Sequence, residues 1–264
     1  MKLTLILIIF FALASLQDDL RCREISGLGF CKEISYDVSS LYVPNEREMD
    51  KEASEFYSKY SGTMKVNTGE CLEAFRSYTC ASRFPKCPYC QTQNAFCRSG
   101  CVRYYAACGC GPGDTTLTCY TGDIYVDDEQ VCTPHTQDLN LYSCVLPTGL
   151  QFCNSTFVTQ PVYSVKNIQS ASQVWNNMDL VASRRYQSFA SSTSSLECKN
   201  VIKKMFCGIN FTPCLNGQHQ DPRSYLKTIC DEMADHCDER MVRKLCTFDT
   251  PTPPDPSKCK PSNT

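Results

Sequence analysis

The chain has 264 residues, a formal net charge of −2 and 21 cysteines. Acidic and basic residues nearly balance and no long basic run is present, which argues against nucleic acid or an acidic membrane surface as partner. Cysteine at this density belongs to disulfide scaffolds of an oxidising compartment, where thiols ordinarily cross-link rather than bind metal.

Met1-Lys2, the apolar run from Leu3 to Leu13 and the small-x-small triplet Ala12-Leu13-Ala14 read as a signal peptide over residues 1–14, with Gln17 an alternative end. No later stretch has the length of apolar residues that crosses a bilayer. The tail from Pro251 to Thr264 is polar and Pro-rich, without the hydrophobic end of a lipid-anchor signal. The expectation is a secreted, extracellular chain that does not span a membrane, with small cores and cross-links supplying much of the stability.

The cysteines form two series. Cys144 and Cys153 follow Cys22 and Cys31 by 122 positions; Cys198, Cys207 and Cys214 follow Cys71, Cys80 and Cys87 by 127. Cys230 and Cys237 follow Cys101 and Cys108 by 129, and Cys246 and Cys259 follow Cys119 and Cys132 by 127. Every cysteine of the second half thus has a counterpart in the first. The chain reads as two copies of one domain, 18–137 and 138–264, meeting near Gln137 to Leu141. Cys90, Cys97 and Cys110 have no counterparts. Cys90 and Cys110 are most simply a private pair, and the absence of a Cys97 counterpart (Leu226 sits near that place) strands one thiol of the second copy. Spacing alone does not say which.

In chain order, Asn45 after Pro44 can cap a helix, with Glu48 completing a capping-box-like exchange. Met49, Ala53, Phe56, Tyr57 and Tyr60 then recur at helical spacing. Leu72, Phe75 and Tyr78 form the face of a second helix ending before Pro85. Cys97, Cys101 and Cys108 fall on one side of a third. In the second copy Trp175, Met178, Ala182, Tyr186 and Phe189 make the long stripe, Ser191 to Ser195 a polar break, and Ile229, Met233 and Cys237 the third helix. The stripes read as core.

Catalytic and metal patterns fare poorly. Cys87-Pro88-Tyr89-Cys90 has a redox spacing, but a reactive thiol of that kind follows a strand of a βαβ unit, and here a helix precedes it. Cys108-Gly109-Cys110 with that pair lacks the paired quartet of a zinc site, and Cys108 to Gly113 lacks the Lys-Ser/Thr of a phosphate loop. The three histidines, His135, His219 and His236, fit no metalloprotease or nucleophile-elbow pattern, and Asp127-Asp128 reads as a solvated polar segment. No cofactor and no enzymatic activity are expected. Asn154-Ser155-Thr156 and Asn210-Phe211-Thr212 are glycosylation sequons, making Asn154 and Asn210 candidate glycan carriers.

The order Cys22-Arg-Glu-Ile, Cys31-Lys-Glu-Ile-Ser-Tyr36, Pro44-Asn45, Glu52-Ala53, Cys71, Cys80, Cys87 and Cys97-Arg98-Ser99-Gly100-Cys101 before Cys108 resembles the Frizzled-type cysteine-rich domain. The likeness covers roughly residues 20–135; the second copy shares the cysteine spacing without the Pro-Asn step or the Cys-Arg-Ser helix. The resemblance implies a mainly helical, disulfide-rich fold, two tandem small domains with a minor short strand pair. It implies the pairs Cys22–Cys87, Cys31–Cys80, Cys71–Cys108, Cys97–Cys132 and Cys101–Cys119, with Cys90–Cys110 extra. For the second copy it implies Cys144–Cys214, Cys153–Cys207, Cys198–Cys237 and Cys230–Cys246, leaving Cys259 alone. It further implies a non-catalytic binding protein for an extracellular protein, lipid or sterol ligand, held in a groove beside the first helices. Val43, Pro44, Arg47, Phe56 and Phe84 are the candidate ligand-contacting residues. Arg47 between Glu46 and Glu48, and Ser82-Arg83 before Phe84, depart from the family's apolar wall and work against an acyl chain, whose buried methylenes contribute only about 0.8 kcal/mol each. A structural or matrix component, disulfide-linked as a homodimer through Cys259, is the alternative.

Overall fold

The computed structural model describes residues 22–39, 43–87, 96–109, 125–126, 132–134, 139–211 and 213–246. The signal peptide, Cys90, Cys110, Cys119, Cys259 and His135 lie outside them. The fold is mainly helical and disulfide-rich, with short two-stranded ladders.

The first copy opens with β1 (Cys22–Arg23) antiparallel to β2 (Val38–Ser39), followed by α1 (Glu46–Ser61) and α2 (Gly69–Arg83). β3 (Phe96–Cys97), parallel to β4 (Tyr125–Val126), leads into α3 (Arg98–Cys108). A 3-10 turn, Leu139–Leu141, stands at the predicted junction. The second copy repeats the order: β5 (Tyr142–Val145) antiparallel to β6 (Val162–Val165), then α4 (Ile168–Ala190) and α5 (Leu196–Asn210). The hairpin β7 (Cys214–Leu215) and β8 (Gln218–His219) and the helices α6 (Arg223–His236) and α7 (Glu239–Leu245) complete it.

Local chemistry sets the helix ends. Asn45 caps α1 by accepting from the Glu48 N–H at 3.2 Å, while the Glu48 carboxylate accepts from the Asn45 side-chain amide, also at 3.2 Å, closing the expected exchange through side chains. Thr68 and Ser195 occupy matching N-caps, accepting from the N–H groups of Cys71 and Cys198. Gly109 ends α3 in the left-handed conformation, φ 79°, donating to the Tyr105 carbonyl.

The repeat is visible in more than sulfur. The Asp50 carboxylate of α1 accepts three backbone N–H groups, from Gly29, Phe30 and Cys31, at 2.8–3.0 Å. Asp179 of α4 accepts the same three in the second copy, from Gln151, Phe152 and Cys153, at 2.6–2.9 Å. Phe30 packs on Tyr57 as Phe152 packs on Tyr186, with ring centroids 5.4 and 5.2 Å apart. Cys22 stands opposite Ser39 and Cys144 opposite Tyr163. Val38 bridges to Lys86, and Val162 to Pro213.

Eight disulfides join described residues: Cys22–Cys87, Cys31–Cys80, Cys71–Cys108, Cys97–Cys132, Cys144–Cys214, Cys153–Cys207, Cys198–Cys237 and Cys230–Cys246. Each is a pair the resemblance implies, and each stays within its own copy. Cys101 is also disulfide-bonded, to a partner outside the described residues; the Cys101–Cys119 and Cys90–Cys110 expectations therefore fall beyond them.

The core departs from the expectation of small ones. One hydrophobic cluster runs through both copies, from Val66, Phe75, Val102 and Tyr105 of the first to Val165, Trp175, Ile202 and Met233 of the second. Among the described residues a smaller cluster, built on Ile25, Cys31, Val38, Val43, Ala53, Cys80 and Phe84, belongs to the first copy alone. The physical reason lies in α3. Its 11 residues are buried except Ser99 and Arg103, because α2 covers one side while α4 and β6 of the second copy cover another. Its small and aromatic residues, Gly100, Val102, Tyr104, Tyr105, Ala106 and Ala107, fall on several faces, so the helix is covered on more than one side. Ser170 of α4 donates to the Glu70 carboxylate of α2 at 2.8 Å across the same seam.

Candidate functional site

The five residues expected to contact a ligand separate into two sets. Val43 and Phe84 are fully buried in the small first-copy cluster, interlocked with Ala53 and the Cys31–Cys80 bridge. Both sit inside that cluster rather than along an open wall, with Leu28, Phe30, Ile34, Tyr36 and Met49 packed against it. Pro44 and Arg47 are exposed at the start of α1. Arg23 donates to the Val43 carbonyl and stands 3.4 Å from the Glu46 carboxylate, so the entry to this helix is ringed with charge.

Phe56 is the surface aromatic of the set, 36% exposed, with Tyr60 at 4.7 Å and Phe75 at 6.1 Å between ring centroids. Arg83 lies over its ring, guanidinium carbon 5.9 Å from the centroid, and reaches the Glu52 carboxylate at 3.8 Å. An arginine on an aromatic face is a stable arrangement. It also lays an ion pair between α1 and α2, where an acyl chain would need continuous apolar lining.

A cleft that no sequence motif marks opens in the second copy. It is lined by Phe157, Val158, Val162, Gly208, Phe211 and Tyr225 among others, and holds about 70 Å³. Small-molecule sites usually run to several hundred Å³, so an acyl chain or sterol does not fit inside it. Gly208 lets its wall form: a Cβ there would meet Tyr225 Cε1 at 2.7 Å. Burial raises the Tyr225 phenol above its ordinary value, with nearby Lys204 pulling the other way. Phe157 at the rim lies under Lys203, ammonium 4.7 Å from its centroid, and the same ammonium stands 4.5 Å from Phe152.

Cys87 is bonded to Cys22, and Pro88 to Cys90 lie outside the described residues. Cys237 beside His236 is bonded to Cys198. His219 lies 6.0 Å from Tyr163, itself stacked on Tyr142 at 5.4 Å. Asn154 is exposed in a turn where its side chain accepts from the Thr156 N–H at 3.2 Å. Asn210 is 1% exposed, and its amide donates to the Phe206 carbonyl at 2.8 Å. Its amide, the atom a glycan would be attached to, is therefore enclosed and already hydrogen-bonded, while Thr212 of the same sequon lies outside the described residues.

Among the described residues, no helix is long and apolar enough to cross a membrane. Comparison with protein-family models, curated proteins and solved structures found no match.

Proposed function

We propose that the chain is a secreted, non-catalytic binding protein built from two Frizzled-like cysteine-rich domains, which captures an extracellular protein, lipid or sterol ligand. The observation that carries this reading is the duplicated frame. Disulfides, the aspartate clamp and the aromatic pair recur at matching places in both copies, while the surfaces differ. A shared rigid frame with divergent surfaces is how a binding scaffold varies its specificity. Glycosylation at Asn154 accompanies the secretory route.

Native mass spectrometry of the secreted protein, with extraction of any bound lipid, tests it. A stoichiometric ligand supports capture, and a bare mass across several expression hosts overturns the small-ligand forms of the reading. The odd cysteine count favours one second reading, a structural component joined through Cys259. A non-reducing gel showing a dimer that Cys259→Ser abolishes would establish assembly, and a monomer would remove it.

A further inference from the structure

We propose that the second-copy cleft is a receptor site for a phenolic ring, the side chain of a tyrosine presented by a protein ligand. The first copy supplies the template. There the same place, between the lead-in to β2 and the exit from α2, is filled by the protein's own Tyr36, whose hydroxyl donates to the Phe84 carbonyl at 2.8 Å.

The acceptor is kept in the second copy and the ring is not. Phe211 is the counterpart of Phe84, the fourth residue after the matching cysteine in each. Its backbone stands at φ −111°, ψ 79°, against φ −120°, ψ 71° for Phe84, and both N–H groups return to that cysteine's carbonyl at 2.9 Å. The carbonyl therefore leaves the chain in the same direction in both copies. Tyr36 is the fifth residue after Cys31, and the fifth after Cys153 is Val158. Counted back from the bridging valines Val38 and Val162, its place falls instead to Gln160. Neither is aromatic, and both line the cleft. Ala81, beside Cys80, becomes Gly208 beside Cys207, withdrawing a further carbon from the wall.

The volume agrees with one occupant. About 70 Å³ is too little for a sterol, yet it admits the edge of one planar ring whose other edge faces solvent. A ring in this slot would lie against Val162 and Phe211, with its hydroxyl toward the Phe211 carbonyl. That acceptor selects a phenol over a plain benzene ring, since polar groups built for a hydroxyl discriminate strongly against ligands lacking one. This deepens the binding-module reading and rests on it for the ligand's being a protein.

Full-length secreted protein titrated with p-cresol, read by saturation-transfer NMR and thermal shift, tests the site. Saturable one-to-one binding at about millimolar concentration, the range of a fragment this small, is expected. N-acetyl-tyrosinamide should compete and toluene should compete at least tenfold less well. Val158→Tyr, which refills the cleft as Tyr36 does, should weaken binding at least tenfold; Val158→Phe serves if that variant is not secreted. Tyr36→Ala should open a second site, raise the stoichiometry to two, and let p-cresol restore part of the lost thermal stability. No saturable binding, or binding unchanged by refilling, overturns the proposal. A bare native mass spectrum alongside saturable cresol binding would defeat the captured-lipid reading and leave the cleft standing; the reverse result would do the opposite.

Discussion

Gly109 lies so close to Val174 that a Cβ on it would stand 3.0 Å from the Val174 carbonyl oxygen. One residue closes α3 of the first copy and the other sits in α4 of the second, so the contact measures how tightly the copies dock. Gly109 also has φ 79°, which a side chain resists. Gly109→Ala should therefore cost about 1–3 kcal/mol, combining left-handed strain with displacement of α4. Gly149 is the control, with φ 77° but nothing within 4 Å of a Cβ. Denaturant unfolding followed through Trp175, the only tryptophan and 1% exposed, should show Gly109→Ala losing clearly more than Gly149→Ala. Equal losses would mean the seam yields freely.

The aspartate clamps differ in depth, and that difference is measurable. Asp179 is 7% exposed and accepts three N–H groups leading into the Cys153 bridge, whereas the Gly29 N–H held by Asp50 is exposed and can turn to water. Removing a buried acceptor strands its donors. Asp179→Ala should cost about 3–5 kcal/mol and Asp50→Ala about 1–3 kcal/mol, with the asparagine variants milder in each case. Thermal unfolding of the four variants decides it, and the reverse order would show that solvent reaches the second clamp.

Much of this frame could be read from residue order. The cysteine offsets revealed the duplication, and the stripes Met49–Ala53–Tyr57 and Met178–Ala182–Tyr186 placed the long helices, because helical periodicity and sulfur spacing are local properties. The docking of the copies was hidden. Cys97, Cys101 and Cys108 define only one side of α3, while Tyr104, Tyr105 and Ala107 are buried too, and small or aromatic residues do not announce what covers them. Val43 beside the Pro44-Asn45 step and Phe84 at the end of α2 are fully buried, and an apolar residue at a helix boundary looks alike in sequence whether it lines a wall or fills a core. The second-copy cleft was hard to read because nine positions separate Cys153 from Val162 where seven separate Cys31 from Val38, so residue order alone leaves the counterpart of Tyr36 ambiguous between Val158 and Gln160.

Of the two sequons, one should be occupied. Asn154 is exposed in a turn, but Asn210 is buried with its amide committed to the Phe206 carbonyl. An attached glycan would have to unseat the end of α5. Intact-mass analysis of protein from eukaryotic cells, before and after glycosidase treatment, should show a single glycan that Asn154→Gln removes. Asn210→Gln should leave the glycan in place and instead lower stability, by about 1–2 kcal/mol, through the crowded helix end. Two glycans on folded, secreted protein would contradict the packing around Phe206 and Phe211.

The buried tyrosines set an alkaline limit. Burial raises the phenols of Tyr36 and Tyr142 far above their ordinary values, Tyr142 further through Tyr163 and the carboxylates of Glu73 and Glu70 against an opposing Arg103. Tyr78, Tyr163 and Tyr225 shift the same way, again chiefly through burial. Raised folded values mean that the unfolded chain releases these protons first. Their contribution to stability is thus fully present below about pH 10, the unfolded phenol value, and is lost as pH climbs toward the folded values. Absorbance of ionised tyrosine after a rapid pH jump should rise in two phases. Exposed phenols ionise at once, and the buried ones only as the protein unfolds, in step with the Trp175 signal. Tyr36→Phe should keep the ring packing, lose the bond to the Phe84 carbonyl, and remove one phenol from the slow phase. If all tyrosines ionise in the fast phase while Trp175 remains buried, the phenols exchange with water without unfolding and burial does not set the alkaline limit.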